Sequence, residues 1–215
     1  MSWLLAISPR YLLKAIKTTS SLTECCRRYP QYTTVIEGIT IHYLHQKSNA
    51  PNAIPLLLVH GWPGSFAEFM PIIDSLTTNT CNTSGKKNQS SVVAFDVVIP
   101  SLPGFAFSSA PPANWTLDDT ARVFNSLMTD VLGYKTYAAH GTDFGAMLSY
   151  SLYDNFNTTV RAVHLLAVPF FPFGLEDIAN RNITLTPYQK FREDYFLNFQ
   201  ATGNAYNLEH STKVS

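Results

Sequence analysis

The sequence is poor in charge and in cysteine, and it has no long unbroken apolar run. Only 14% of its 215 residues are Asp, Glu, Lys or Arg, and the fifteen basic side chains cancel the fifteen acidic ones. No field of one sign exists to draw a nucleic acid or an anionic membrane surface, so neither is expected as a partner. Three cysteines (Cys25, Cys26 and Cys81, two of them adjacent) cannot build a disulfide framework. No CxxC or Cys/His spacing points to a metal, and no cofactor is expected. The longest apolar stretch, Leu165 to Leu175, is broken by Pro169 and Pro172. It falls short of the roughly 18 residues a membrane span needs. The start, Met1 to Pro9, has too short an apolar run for a secretory segment and no basic residues before it. Five Asn-x-Ser/Thr sequons (Asn82, Asn88, Asn114, Asn157, Asn182) matter only in a secreted protein. The expectation is an unanchored, cytoplasmic protein.

What is present is apolar and aromatic. Hydrophobic residues make up 46% of the chain, with 14 Phe, 11 Tyr and 3 Trp, a composition too apolar for disorder. The length suits one domain, or one with a small appendage, and can bury a sizeable core.

Residues 11–28 read as one or two short amphipathic helices, ended by Tyr29-Pro30 because proline cannot continue a helix. Two strand-like pieces follow, Tyr32–Ile36 and Ile39–His45, with Glu37-Gly38 as a hairpin turn. After a polar loop at 48–55 the chain alternates. Leu56–His60 has strand length, Phe66–Leu76 a helical period, and residues 77–91 the composition of a solvated loop. Phe95–Pro100 is a second buried strand. Residues 101–115, proline-rich and without helical pattern, suit an ordered loop over a site. Thr116-Leu-Asp-Asp119 reads as a capping box for a helix over 117–132, stopped by Gly133. Then come strand Thr136–His140, helix Phe144–Asn155 and strand Ala162–Val168. Alternating elements with short apolar strands predict a parallel sheet covered on both faces. Beyond Val168 the sequence turns Pro/Phe-rich and leads to a helical segment over about 186–200.

Two turns carry the chemistry. Tyr137 to Met147 reads strand, then Gly141-Thr-Asp143-Phe-Gly145, then helix. Small residues two before and two after a polar one allow a sharp strand-to-helix turn that holds the central side chain up. That is a nucleophile elbow with Asp in place of Ser. The helix that follows aims its N-terminal amides and dipole at the carboxylate. The second turn, His60-Gly-Trp62-Pro-Gly-Ser65, ends a buried strand about 80 residues earlier. The N–H groups of Trp62 and Phe144 can then form one oxyanion hole.

At these residues the sequence resembles the microsomal-type epoxide hydrolases of the α/β-hydrolase fold, especially the soluble fungal ones. The resemblance rests on Tyr29–His42, His60–Phe69, Val98–Ser109 and His140–Gly145, and reappears at Ala205–Thr212, which is similar to a cap segment bearing a ring-opening tyrosine. It covers residues 29–170 closely and 186–215 loosely. The implied fold is α/β: a mostly parallel sheet with helices on both faces, behind an N-terminal meander. The implied division is a meander at 1–55, a hydrolase core at 56–170 and the start of a helical cap at 171–215.

The implied reaction opens an apolar epoxide through an Asp143 alkyl ester to give a vicinal diol. Tyr206 would donate a proton to the epoxide oxygen, and the N–H groups of Trp62 and Phe144 would hold the oxyanion. The family's charge-relay His and its acid partner, expected well beyond the elbow, are not found among the 72 residues after Asp143, nor is a second cap tyrosine. His164 reads as a packed strand histidine, His210 as part of the cap segment, and His60 and His140 as loop-bonding residues beside the turns. His42 and His45 fall in the meander. The expectation is a C-terminally truncated member with about six strands, incomplete or inactive alone. Thr142 stands where the family usually has Gly, Phe144 where Trp is frequent, and Val214 where Pro is usual. Two other readings share the elbow: a haloalkane dehalogenase, and a non-catalytic hydrolase-fold fragment or binding module.

Overall fold

A computed structural model describes residues 28–78, 93–166, 175–203 and 205. The chain divides into two compact units, Met1–Pro169 and Phe170–Ser215. The expected helices before residue 28, Cys25, Cys26, Cys81, the sequons at Asn82 and Asn88, and Tyr206, His210 and Val214 lie outside the described residues.

In the first unit, β1 (Gln31–Ile36) and β2 (Ile39–Gln46) form an antiparallel hairpin. Its turn, Glu37-Gly38, has positive φ at both residues (49° and 82°), the twist that matches paired strands. Then follow β3 (Ile54–Val59), a 3₁₀ segment Phe66–Ile72, α1 (Ile73–Thr77), β4 (Phe95–Pro100), α2 (Leu117–Ser126), β5 (Tyr137–Thr142), α3 (Phe144–Asn155) and β6 (Val160–Leu166). The six strands stand in the order β1-β2-β4-β3-β5-β6. β4, β3, β5 and β6 pair in parallel, and β2 joins them antiparallel along β4.

β3 shows why helices cover both faces. Successive side chains on a strand point to opposite sides. Leu57 and Val59 join a core with Val98, Ala139, Phe124, Leu127, Met128 and Leu148. Leu56 and Leu58 join the opposite core with Val97, Ile99, Phe66, Phe69 and Ile73. Fully burying a Leu or Phe contributes about 1.5–3 kcal/mol.

Several sequence expectations need correction. The helix expected at Phe66–Leu76 is a 3₁₀ turn followed by a five-residue α1, because Pro71 sits inside and removes a backbone donor. The helix expected over 117–132 starts on its capping box, with Thr116 Oγ1 accepting from Asp119 N and the Asp119 carboxylate accepting from Thr116 N. It widens, however, into a π turn at Leu127–Val131, where Leu132 N reaches Leu127 O over 3.0 Å. Gly133, at φ 77°, then turns the chain away. β3 begins at Ile54 and includes Pro55, which belongs to the strand's opening residues and not to a loop. β5 runs on to Thr142, taking the first glycine of the elbow into the sheet. β6 starts two residues before the expected strand and is not covered on both faces: Ala162, His164 and Leu166 are exposed. His164 is therefore not packed inside the sheet. Its ring stacks on His140 with centroids 4.7 Å apart.

The second unit holds α4 (Leu175–Asn180) and α5 (Pro187–Thr202). α5 opens on a second capping box, Thr186 with Gln189, and has proline at its start where no N–H is required.

Candidate active site

Asp143 sits between β5 and α3 with φ 53° and ψ −121°, a conformation that side-chain-bearing residues rarely adopt. Three contacts hold it there. Its N–H donates to Leu166 O on β6 (3.3 Å), and its own carbonyl accepts from Ala146 N (2.9 Å) and Met147 N (3.4 Å). The flanking glycines are needed for close approach rather than for φ. A Cβ on Gly141 would stand 1.9 Å from Gly145 O, and one on Gly145 would stand 2.1 Å from Val59 O. Only hydrogen at those positions lets α3 begin so tightly against β5 and the end of β3.

β3 lies beside β5 in the sheet, so the turn after β3 reaches the elbow directly. The Trp62 N–H donates to Asp143 Oδ1 over 2.8 Å. Gly61 makes that approach possible, since a Cβ there would fall 2.5 Å from Asp143 Cβ and 2.7 Å from Oδ1. Phe144 is the first residue of α3, and its N–H is one of the helix's leading amides, which have no partner within the helix. Trp62 (45% exposed) and Phe144 (44% exposed) are both large apolar residues left partly open to solvent.

The turns are braced from behind. His60 is fully buried; its Nε2 accepts from Leu102 N (3.1 Å), and Nδ1 lies 3.1 Å from Gly61 O. Accepting at Nε2 fixes the proton on Nδ1. Burial holds its pKa below the ordinary value, with the Gly61 carbonyl opposing. The loop over 101–115 comes close, as expected: Phe105 sets its ring edge-on to both His60 and Trp62. His140 lies by His164, with Nδ1 3.1 Å from His164 O and 2.9 Å from His164 Nδ1. Its pKa is lowered, first by burial and further by the charge of His164, while the His164 carbonyl opposes. His42 bonds to Ser101 and Gln31, and His45 to Tyr134, both on the meander side of the sheet.

Sequence reading did not single out Glu68. Ser65-Phe-Ala-Glu68 has the spacing of a capping box, in which the glutamate would fold back to Ser65. Instead Ser65 Oγ accepts from Ala67 N, and Glu68 Oε1 accepts from Thr142 Oγ1 over 3.1 Å. The signal was Thr142 itself, a hydroxyl immediately before the nucleophile position. Glu68 has its pKa raised, chiefly by burial and also by the Asp143 charge, against the Thr142 hydrogen bond. Among the described residues, no group of three or more His, Cys, Asp or Glu side chains gathers to hold a metal ion. No described helix is long and apolar enough to cross a membrane.

This sheet order, with a strained acidic elbow facing an amide from the neighbouring strand's turn, is the architecture of α/β hydrolases. Family comparison agrees: residues 54–205 match the alpha/beta hydrolase fold and residues 20–69 match the epoxide hydrolase N terminus. The chain belongs to the α/β-hydrolase family and, within it, to the epoxide hydrolases. A relative from Stigmatella aurantiaca, assigned to the epoxide hydrolases, is 35% identical over 187 residues, which is 86% of this chain and 40% of the relative. Epoxide hydrolase 1 of Oryctolagus cuniculus is 36% identical over 149 residues, 66% of this chain and 31% of that protein. The solved structure of Aspergillus niger epoxide hydrolase superposes with a TM-score of 0.64 at 32% identity, covering 96% of this chain and 53% of that one. The chain thus spans about half, or less, of the length of the relatives it matches.

Proposed function

We propose that Asp143 is the nucleophile of an epoxide hydrolysis that turns an apolar epoxide into a vicinal diol. The observation that carries this reading is the Trp62 N–H on Asp143 Oδ1. That oxygen is held by an amide donor, which leaves Oδ2 to attack. Oδ2 bonds to an epoxide carbon, the C–O bond of the strained ring breaks, and its electron pair stays on the epoxide oxygen. Tyr206 is proposed to give that oxygen its proton.

The product is an ester whose carbonyl oxygen is the former Oδ1. When water adds to the ester carbon, negative charge develops on that same oxygen, against the N–H groups of Trp62 and Phe144. Each donor aimed there is worth about 2.7–4 kcal/mol of barrier. Collapse releases the diol and returns the carboxylate, with one oxygen of the water retained on Asp143. An aspartate suits this cycle because an ester, unlike an ether, can be opened by water at its carbonyl.

Water addition needs a base, and the histidines described here are committed elsewhere. His60 and His42 are buried and bonded, His45 is bonded to Tyr134, and His140 and His164 engage each other. The 215-residue polypeptide is therefore expected to accumulate the ester. The test is incubation with styrene oxide followed by intact-mass analysis and peptide mapping. One added epoxide mass on Asp143 is the expected result. Absence of any adduct, or an adduct elsewhere, would sink the assignment, and sustained diol release would contradict the stalled ester.

A further inference from the structure

We propose that Glu68 is a positioning residue for Asp143: by accepting the Thr142 hydroxyl, it ties the elbow to the turn that carries Trp62. The inference rests on the reading of Asp143 as the nucleophile and adds a residue that the reading does not require. Glu68 stands on the 3₁₀ segment, whose Phe66, Phe69 and Met70 are buried, so its backbone is fixed by core packing. Ser65 O accepts from Glu68 N over 3.0 Å, which locks the first turn to the end of the Trp62 loop. From there the side chain reaches in two directions. Oε1 takes the Thr142 hydroxyl, 74 residues away in sequence. Oε2 lies against the Gly64 backbone, where a Cβ would meet it at 2.2 Å.

One carboxylate thus touches both turns that meet at the nucleophile, one through a side chain and one through main chain. Thr142 is the residue immediately before Asp143 and the last of β5. Any rotation of the elbow that carries Asp143 Oδ1 away from the Trp62 N–H must also move Thr142 against a charged acceptor. A hydrogen bond to a charged acceptor is stronger than one between neutral groups, and it opposes such a rotation. The elbow stores strain at Asp143, so an external tie has something to restrain. A glycine at position 142, usual in the resembled family, could not make this contact. The tie therefore depends on Thr142 being present in this chain.

The test uses the full 215-residue chain in five forms: wild type, Thr142→Val, Thr142→Ser, Glu68→Ala, and the Glu68→Ala/Thr142→Val double. Ester formation with styrene oxide is followed by intact mass to give a limiting rate and a half-saturating concentration, and each protein is melted in parallel. A positioning role predicts a limiting rate about tenfold lower in Thr142→Val and in Glu68→Ala, with half-saturation unchanged, the size of one lost charged hydrogen bond. Thr142→Ser restores the rate to within about twofold, and the double variant is no slower than the singles, as expected of residues acting through one contact. A wild-type rate in Thr142→Val, no rescue by Thr142→Ser, or losses that multiply in the double would each overturn the proposal. If wild type forms no ester, the nucleophile reading fails on its own. The melts then decide the tie: equal losses of melting temperature in both singles and the double support it, and additive losses overturn it.

Discussion

The Trp62 main-chain N–H meets Asp143 Oδ1 at 2.8 Å, although 81 residues separate the two positions. The contact exists because β3 and β5 are neighbours in the sheet while β4, between them in sequence, pairs on the far side of β3. Each turn leaves the carboxyl end of its strand, the end at which open α/β sheets place ligands. The residues proposed for chemistry therefore meet through topology: the two turn motifs mark the positions, and the strand order brings them together.

Replacing Asp143 with Asn keeps the size of the side chain and an oxygen for the Trp62 N–H, and removes the nucleophilic carboxylate. Ester formation with styrene oxide should fall by roughly 10³-fold or more, read by intact mass, with the melting temperature little changed. An undiminished adduct in this variant would move the nucleophile to another residue.

The two glycines that contact the elbow should separate function from fold. Gly61→Ala drives a methyl against Asp143 Cβ at 2.5 Å and against Thr142 O at 2.7 Å. Gly141→Ala drives one into Gly145 O at 1.9 Å, where only backbone can give way. Urea unfolding should show about 2–4 kcal/mol lost in Gly141→Ala. Gly61→Ala should lose less stability and more ester-forming rate, because its clashes are looser than those at Gly141 and fall in part on the Asp143 side chain.

Buried His60 makes stability depend on pH, and the direction follows from its lowered pKa. The folded chain keeps the imidazole neutral, while in the unfolded chain it takes up a proton near its ordinary value of 6.5. Between those two values the unfolded state binds more protons, so stability is fully present above pH 6.5 and is lost as the pH falls. Each such proton contributes a slope of up to about 1.4 kcal/mol per pH unit. Urea midpoints measured from pH 7.5 to 5.0 should fall steadily. His60→Gln should show a shallower fall, and an unchanged slope would assign the effect to His42, His45 and His140, whose pKa values are also lowered.

Core and surface aromatics should differ sharply. Phe124, with no exposed surface, fills the core between α2 and the sheet, and Phe124→Ala should remove about 3–5 kcal/mol. Phe107 is 63% exposed and touches the rings of His42 and Phe66, so Phe107→Ala should cost less than about 1 kcal/mol in the same urea titration.

The fold was legible in the sequence wherever one local rule governed it. Phe95–Pro100 and Phe144–Asn155 have the bounds their patterns predict, because a short apolar run and a glycine-flanked elbow leave little freedom. Glu37-Gly38 was readable for the same reason. Errors arose where two local rules competed or where the partner was remote. Pro71 broke a convincing helical period, and the apolar composition of β6 implied neighbours that the described residues do not supply. His164 was misread with β6. Within the site, the elbow was visible as Gly-x-Asp-x-Gly. The bond from Thr142 to Glu68 was not, since the Thr142 hydroxyl signals a hydrogen bond without saying which residue, 74 positions away, accepts it.

The backbone at Asp143 has a last consequence, for evolution. Its strained turn is held by Gly141, Gly145 and main-chain bonds to Leu166, Ala146 and Met147, none of which involves the aspartate's own side chain. The position is an address written in the main chain, and the side chain placed there is an exchangeable reagent. A lineage could trade that reagent for a hydroxyl or a thiol through one codon without redrawing the fold around it. Such a scaffold keeps the place of reaction constant while the chemistry performed there changes.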